Sequence, residues 1–167
     1  MAKILNLGTG NRPIEGAVNH DVRKHNPTID VTHDLSNLPW PWGDEEFDTI
    51  HAISVLEHLD IDLVGSVDEC WRILKPGGKL IARVPHWQHP TCWRDPTHRR
   101  GYTMETWDLF DPRTHFGKGY GFYTERKWHI EKREPIYLRG DHLTVPSSVE
   151  VVMVKVVAEE KDESGQT

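Results

Sequence analysis

The sequence is poor in several features that define whole classes of protein. It has two cysteines in 167 residues, Cys70 and Cys92. Two thiols cannot build the disulfide framework on which small secreted domains depend. No apolar run approaches the roughly 20 residues of a membrane-spanning helix. The opening stretch, MAKILNLGTG, lacks the apolar core and cleavage site of an export signal, so a cytoplasmic location without membrane contact is expected. Positive charge is short as well. Lys and Arg number 20 against 26 Asp and Glu, a net charge of −6, which argues against a nucleic-acid-binding surface. The phosphate-cradling G-K-S/T is absent, and so are the C-x2-C and H-E-x-x-H metal frameworks.

Two residue types are in surplus: 11 His and 7 Trp. That surplus suggests a polar, aromatic-lined site. Hydrophobic residues at 37% and charged residues at 28% otherwise suit a globular protein. The length allows one domain with a sizeable core. A single domain over residues 1–159 is expected, followed by a disordered acidic tail, EKDESGQT, over 160–167.

Residues 3–8 (KILNLG) read as a buried strand ending in a glycine cluster. Residues 17–22, 29–34 and 47–53 read as three more strands. Leu63, Val67, Cys70, Trp71 and Leu74 recur at a helical period, so 60–75 should be a helix, capped by Asp60 or Asp62 and stopped at Pro76-Gly77-Gly78. A strand follows over 79–85. Residues 103–110 suit a short helix capped by Thr103, and 111–126 a long loop. The last strands are 127–138 and 147–159. The second of these is so dense in valine that it should lie inside the sheet. Strand-helix alternation with near-continuous apolar strands indicates an α/β fold with a mostly parallel sheet. The first two connections are too short for full crossover helices.

In such a sheet, ligands bind beyond the carboxyl ends of the strands. The special residues fall there. Strand one ends in Gly8-Thr9-Gly10-Asn11, where small residues let a ligand approach the backbone. Asp21, at the end of strand two, can accept the two hydroxyls of a ribose. Asp34 can accept from an exocyclic amine, and Leu35 can pack on a purine face. Arg12-Pro13 replace the third glycine of the dinucleotide fingerprint, which disfavours a nicotinamide-dependent oxidoreductase.

These residues, with LNLGTGN, DLSNLPWP, FDTIHAISVLEHL and RILKPGGKLIARVP in this order over 5–85, resemble a class I S-adenosylmethionine-dependent methyltransferase of the type 11 kind. After Pro85 the segment VPHWQHPTCWRDPTHRRGYT is similar to a small bacterial and phage-type subgroup with a V-P-H…D-P-T-H pattern. The resemblance implies a Rossmann-like, seven-stranded, mostly parallel sheet with one antiparallel strand and, here, reduced N-terminal crossovers. It implies S-adenosylmethionine as cofactor and S-adenosylhomocysteine as product. Gly8, Thr9, Gly10 and Asn11 would border the methionine and ribose, and Asp21 would hold the ribose. Asp34 and Leu35 would meet the adenine. Ala52, Ile53 and Ser54 would pass beneath the methionine part. The loop departs from the family's pattern by lacking a third glycine.

Methyl transfer asks mainly for alignment, and a hydroxyl or amine acceptor also asks for a base. His86 and His98 are the candidates, with Asp95 as partner. His58 reads as packing at the start of a helix. His86, His89, Cys92 and His98 also resemble a metal cluster and define a rival metal-dependent enzyme, although no metal is expected. Trp87, Trp93 and Trp107 could stack on a flat or sugar-like acceptor, whereas Trp40 and Trp42 suit the core. Arg94, Arg99 and Arg100 form a local basic patch. The expected function is methyl transfer to a small-molecule or glycan-type acceptor. A non-catalytic S-adenosyl-ligand-binding protein of the same fold is the second reading. Thin helical cover on the sheet suggests a homodimer.

Overall fold

A computed structural model describes residues 2–140 and 142–157. The expected tail over 160–167 lies outside the described residues. Seven strands form one sheet: β1 (Ile4–Leu7), β2 (Val18–Asp21), β3 (Val31–Thr32), β4 (Phe47–Ile53), β5 (Leu74–Pro85), β6 (Lys127–Ile136) and β7 (Ser148–Val156). Their order is β3-β2-β1-β4-β5-β7-β6. β7 runs antiparallel to both its neighbours, and the pairs among β1 to β5 are parallel. The valine-dense strand therefore lies inside the sheet, as its composition required.

Among the described residues, no α-helix interrupts the chain between β1 and β4. Side-chain hydrogen bonds hold these connections instead. The Asn19 side chain accepts from Ile14 N at 2.9 Å and from Asn6 Nδ2 at 2.9 Å, and donates to Ile14 O at 3.0 Å. Asp30 Oδ2 accepts from Asn19 N at 2.8 Å and ties down the next turn. Asn and Asp do this readily because their short side chains mimic backbone groups.

The connection from β4 to β5 carries the helix α1 (Leu63–Ile73), whose cap is Asp62, accepting from Gly65 N at 2.6 Å. The helix is shorter than 60–75, and the next strand starts five residues before the expected 79. Phe47 pairs with Leu74 and Thr49 with Lys79, so the Pro76-Gly77-Gly78 turn is a bulge inside β5 and not a helix stop. Gly77 has φ +72°, the left-handed conformation such a bulge requires.

Beyond β5, α2 (Pro90–Arg94) starts with its proline in the first turn, where the missing N–H costs nothing. One further expectation is corrected. Residues 111–126 are not a loop: α3 (His115–Tyr120) and the 3-10 turn Gly121–Tyr123 occupy them, and Thr114 caps α3 by accepting from Gly117 N at 2.8 Å. The element after Thr103 is a 3-10 helix, Met104–Phe110, with a Thr103/Thr106 capping box.

The core lies on one face of the sheet. Leu5, Leu7, Ile50, Ala52, Leu80, Ala82, Val149, Val151 and Met153 pack there with Val67, Cys70 and Ile73 of α1 and with Trp107 and Phe110. The residues between them in sequence point the other way. Thr49, His51, Ile53, Ile81, Val152 and Val154 are only partly buried. Beside them Lys79 pairs with Glu131 at 2.7 Å, and Arg83 Nε donates to Glu150 at 3.0 Å. The strands thus alternate like those of a one-sided sheet, unlike the near-continuous apolar runs the sequence suggested.

Candidate functional site

The carboxyl ends of β1, β2 and β4 converge on Gly8, Asp21 and Ser54. Gly8 has φ +59°, and a Cβ there would lie 2.6 Å from Val55 Cγ2. Only glycine lets the loop after β1 rest directly on Val55, two residues past the end of β4. Gly10 N donates to Asp21 Oδ2 at 2.8 Å, which ties this loop to the end of β2. His20 lies behind it. Its Nδ1 accepts from Gly8 N at 3.4 Å, so the proton sits on Nε2, which donates to His33 O at 2.9 Å. Burial lowers the pKa of His20, outweighing the backbone bond and the Asp21 charge, which favour the cation.

Ser54 is a non-glycine residue with φ +55°. Residues held in this region cluster at functional sites. It borders three cavities. The first, of about 650 Å³, is lined by Gly8, Asp21, Asp34, Leu35 and Ser54 among others. Asp34 Oδ1 accepts from Ser36 N at 2.9 Å, and Trp40 Nε1 donates to Leu35 O at 3.0 Å, fixing this rim. The second, of about 540 Å³, lies along the glycine loop and meets Thr9, Gly10, Asn11 and Ile53. Ala52 lines neither cavity and is fully buried between Leu7 and Ala82 in the sheet.

The third cavity, of about 550 Å³, lies between the 3-10 helix Leu56–His58 and the segment after α2. Ser54, Glu57, His58, Arg94, Asp95 and His98 face it. His98 Nε2 is 4.0 Å from Asp95 Oδ2, so two of the three residues proposed from sequence for catalysis meet here. His86 does not line this cavity. It is buried, its N donates to Ser147 O at 3.0 Å, and burial lowers its pKa.

Glu57 was missed as a functional residue. It is 1% exposed, its Oε2 has no hydrogen-bond partner, and burial raises its pKa to about 7. The signal was a carboxylate flanked by Val55, Leu56 and Leu59, all of which are buried. His58 does more than pack at a helix start. Its ring meets that of His98 edge-on at 4.6 Å.

The metal set His86, His89, Cys92 and His98 is not brought together. His89 Nδ1 caps α2, and Cys92 offers His98 its backbone carbonyl. Among the described residues, the group whose ligand atoms lie within 4.8 Å of one another is Glu57, His58 and His98. The basic patch also divides. Arg100 donates to the carbonyls of Leu59 and Ile61, Arg99 pairs with Asp60 at 3.1 Å, and Arg94 faces the third cavity. Trp107 is buried and stacked on Tyr102, and Trp40 and Trp42 are buried; Trp87 and Trp93 are exposed.

Known proteins are similar to this chain in part of its sequence and in its fold. Residues 12–82 match the family described as a methyltransferase domain. A protein of Mycolicibacterium smegmatis named "probable S-adenosylmethionine-dependent methyltransferase" is 38% identical over 73 residues, covering 43% of this chain and 27% of that protein. The chain thus aligns with about a quarter of the length of that relative. A SAM-dependent methyltransferase from Archaeoglobus fulgidus superposes with a TM-score of 0.61 at 15% identity, over 92% of this chain and 86% of that one. A chain from the complex of the Haloferax volcanii Trm112 methyltransferase activator with a methyltransferase gives 0.64 at 15% identity, over 93% and 83%. The fold is that of class I methyltransferases. Within this fold, the walls of the first two cavities carry groups that suit S-adenosylmethionine: the Asp21 and Asp34 carboxylates as acceptors for hydroxyl and amine donors, and the glycine loop, with open space beside Gly10, for close approach.

Proposed function

We propose that this chain is an S-adenosylmethionine-dependent methyltransferase acting on a small-molecule or glycan-type acceptor. The observation that carries the reading is the meeting of three cavities at Ser54, two along the glycine loop and one lined by bases. When bound, the cofactor supplies an electrophilic methyl group. Asp21 holds the ribose hydroxyls, and Asp34 with the Leu35 backbone holds the adenine edge. Gly8, Thr9, Gly10, Asn11, Ile53 and Ser54 border the methionine part. The third cavity takes the acceptor, and its walls orient the nucleophile and keep water off. His98 donates its Nδ1–H to Cys92 O at 2.6 Å, which leaves Nε2 as the basic nitrogen on that cavity. With Asp95 beside it, Nε2 accepts the acceptor's proton.

The absence of crossover helices behind the cofactor loop favours one second reading, a protein that binds the S-adenosyl ligand without chemistry. Calorimetry and a transfer assay separate the two. Wild-type protein should bind S-adenosylhomocysteine and not NAD. Asp21→Ala should weaken that binding by about 1–3 kcal/mol through lost hydrogen bonds. Unchanged affinity in Asp21→Ala would overturn the cofactor assignment. Binding without label transfer to any hydroxyl or amine panel would leave the second reading standing.

A further inference from the structure

The wall of the third cavity gathers three groups with free acceptor atoms, Glu57, His58 and His98. Glu57 is 1% exposed and keeps Oε2 unpartnered. Its Oε1 lies 4.0 Å from His98 Nε2, too far for a hydrogen bond. Both histidines are locked in the tautomer that frees Nε2. His98 donates Nδ1–H to Cys92 O at 2.6 Å. The Thr97 hydroxyl donates to Asp95 Oδ1 at 2.7 Å, so its oxygen accepts Nδ1–H of His58 at 2.8 Å. A buried carboxylate oxygen with no donor costs stability, and a nearby cation removes that cost. Fixing the distal N–H of a histidine on a carbonyl, or through a hydroxyl on a carboxylate, is also how proteins orient metal-binding imidazoles.

We propose that Glu57, His58 and His98 bind one first-row divalent transition-metal ion at the wall of the acceptor cavity. The ligand atoms of these residues lie within 4.8 Å of one another, close enough for small side-chain rotations to bring all three onto one ion. Two imidazoles and one carboxylate favour zinc, cobalt, iron or manganese over magnesium or calcium, which prefer oxygen alone. Three protein ligands leave coordination positions open toward the cavity. Resting on the methyltransferase reading, those positions would take an acceptor oxygen, so the acceptor is a hydroxyl compound. Such an ion would lower the pKa of that hydroxyl, and its proton would leave to solvent at the cavity mouth, since Nε2 of His98 would then hold the metal.

Metal-stripped protein should bind one Co²⁺ per chain by calorimetry and give a visible cobalt absorption band. Glu57→Gln, His58→Ala and His98→Ala should each weaken Co²⁺ binding at least tenfold. His89→Ala and Cys92→Ala should leave it within twofold. Circular dichroism and S-adenosylhomocysteine affinity of each variant report folding and the cofactor site separately. Acetohydroxamate should shift the cobalt band by entering the open positions. Absence of stoichiometric Co²⁺ binding by protein that still binds S-adenosylhomocysteine would overturn the metal site alone. An unmoved band with acetohydroxamate would overturn the acceptor-oxygen role.

Discussion

At the scale of single residues, the wall of the first cavity is shaped by Gly8 and His20. Gly8→Ala must hold φ +59° and press a methyl within 2.6 Å of Val55. It should lose about 2 kcal/mol or more of stability. Gly10→Ala, at φ +53° with open space around it, should lose only about 1 kcal/mol. Urea denaturation of the two variants tests the contrast, and equal losses would remove the Val55 contact as the cause. His20 predicts a pH effect. Its folded pKa lies below 6.5, so the unfolded chain takes up the proton first as the medium is acidified. Its contribution is complete above pH 6.5 and is lost as pH falls toward the folded pKa. The bond to the His33 carbonyl and the Asp21 charge pull the other way, and the charge of the His33 ring adds to the lowering. Between pH 7.5 and 5.5 the melting temperature of the wild type should therefore shift downward relative to that of His20→Gln, a difference that cancels the opposing gain from Glu57, whose pKa is raised to about 7 in both proteins. His51 and His86 are shifted in the same direction as His20, and their part cancels in that difference too.

At the scale of elements, legibility followed locality. Asp62 was a readable cap because a helical apolar period follows it directly, and Asp62→Ala should cost about 1 kcal/mol in thermal or urea unfolding. No loss would show that another group caps α1. The placing of the glycine loop, Asp21 and Asp34 on cavity walls was readable because each lies at or within two residues of the end of a short strand. The helical turn at 115–120 was not, because His-Phe-Gly-Lys-Gly-Tyr has poor intrinsic helix propensity and depends on Thr114 and on packing of Gly117 against Asp111. The third cavity was half readable. Asp95 and His98 sit three apart in one turn, but Glu57 and His58 join them from 40 residues away, which only the folded sheet brings about.

At the scale of the molecule, the sheet keeps one dry face and one partly wet one. Its parallel order was legible from the sequence of motifs. Its one-sidedness was not, since Ile53, Ile81 and Val152 read as core while Arg83 and Glu150 pair between them on the open face. The expected second copy over this face would meet paired charges as well as aliphatic side chains.

The helix-free connections after β1 and β2 have a thermodynamic corollary. Backbone amides there are secured by turns and by Asn19 and Asp30, with few buried apolar contacts to protect them. The half of the sheet that builds the ligand cradle should therefore open at lower free energy than β5 and β7, which share the packed centre. Amide hydrogen exchange should be fast over residues 8–34 and slow over 79–85 and 149–155. Saturation with S-adenosylhomocysteine should slow the first region and leave the second nearly unchanged. Uniform protection in the ligand-free protein would contradict this division. If it holds, the protein spends part of its ligand affinity on completing its own fold.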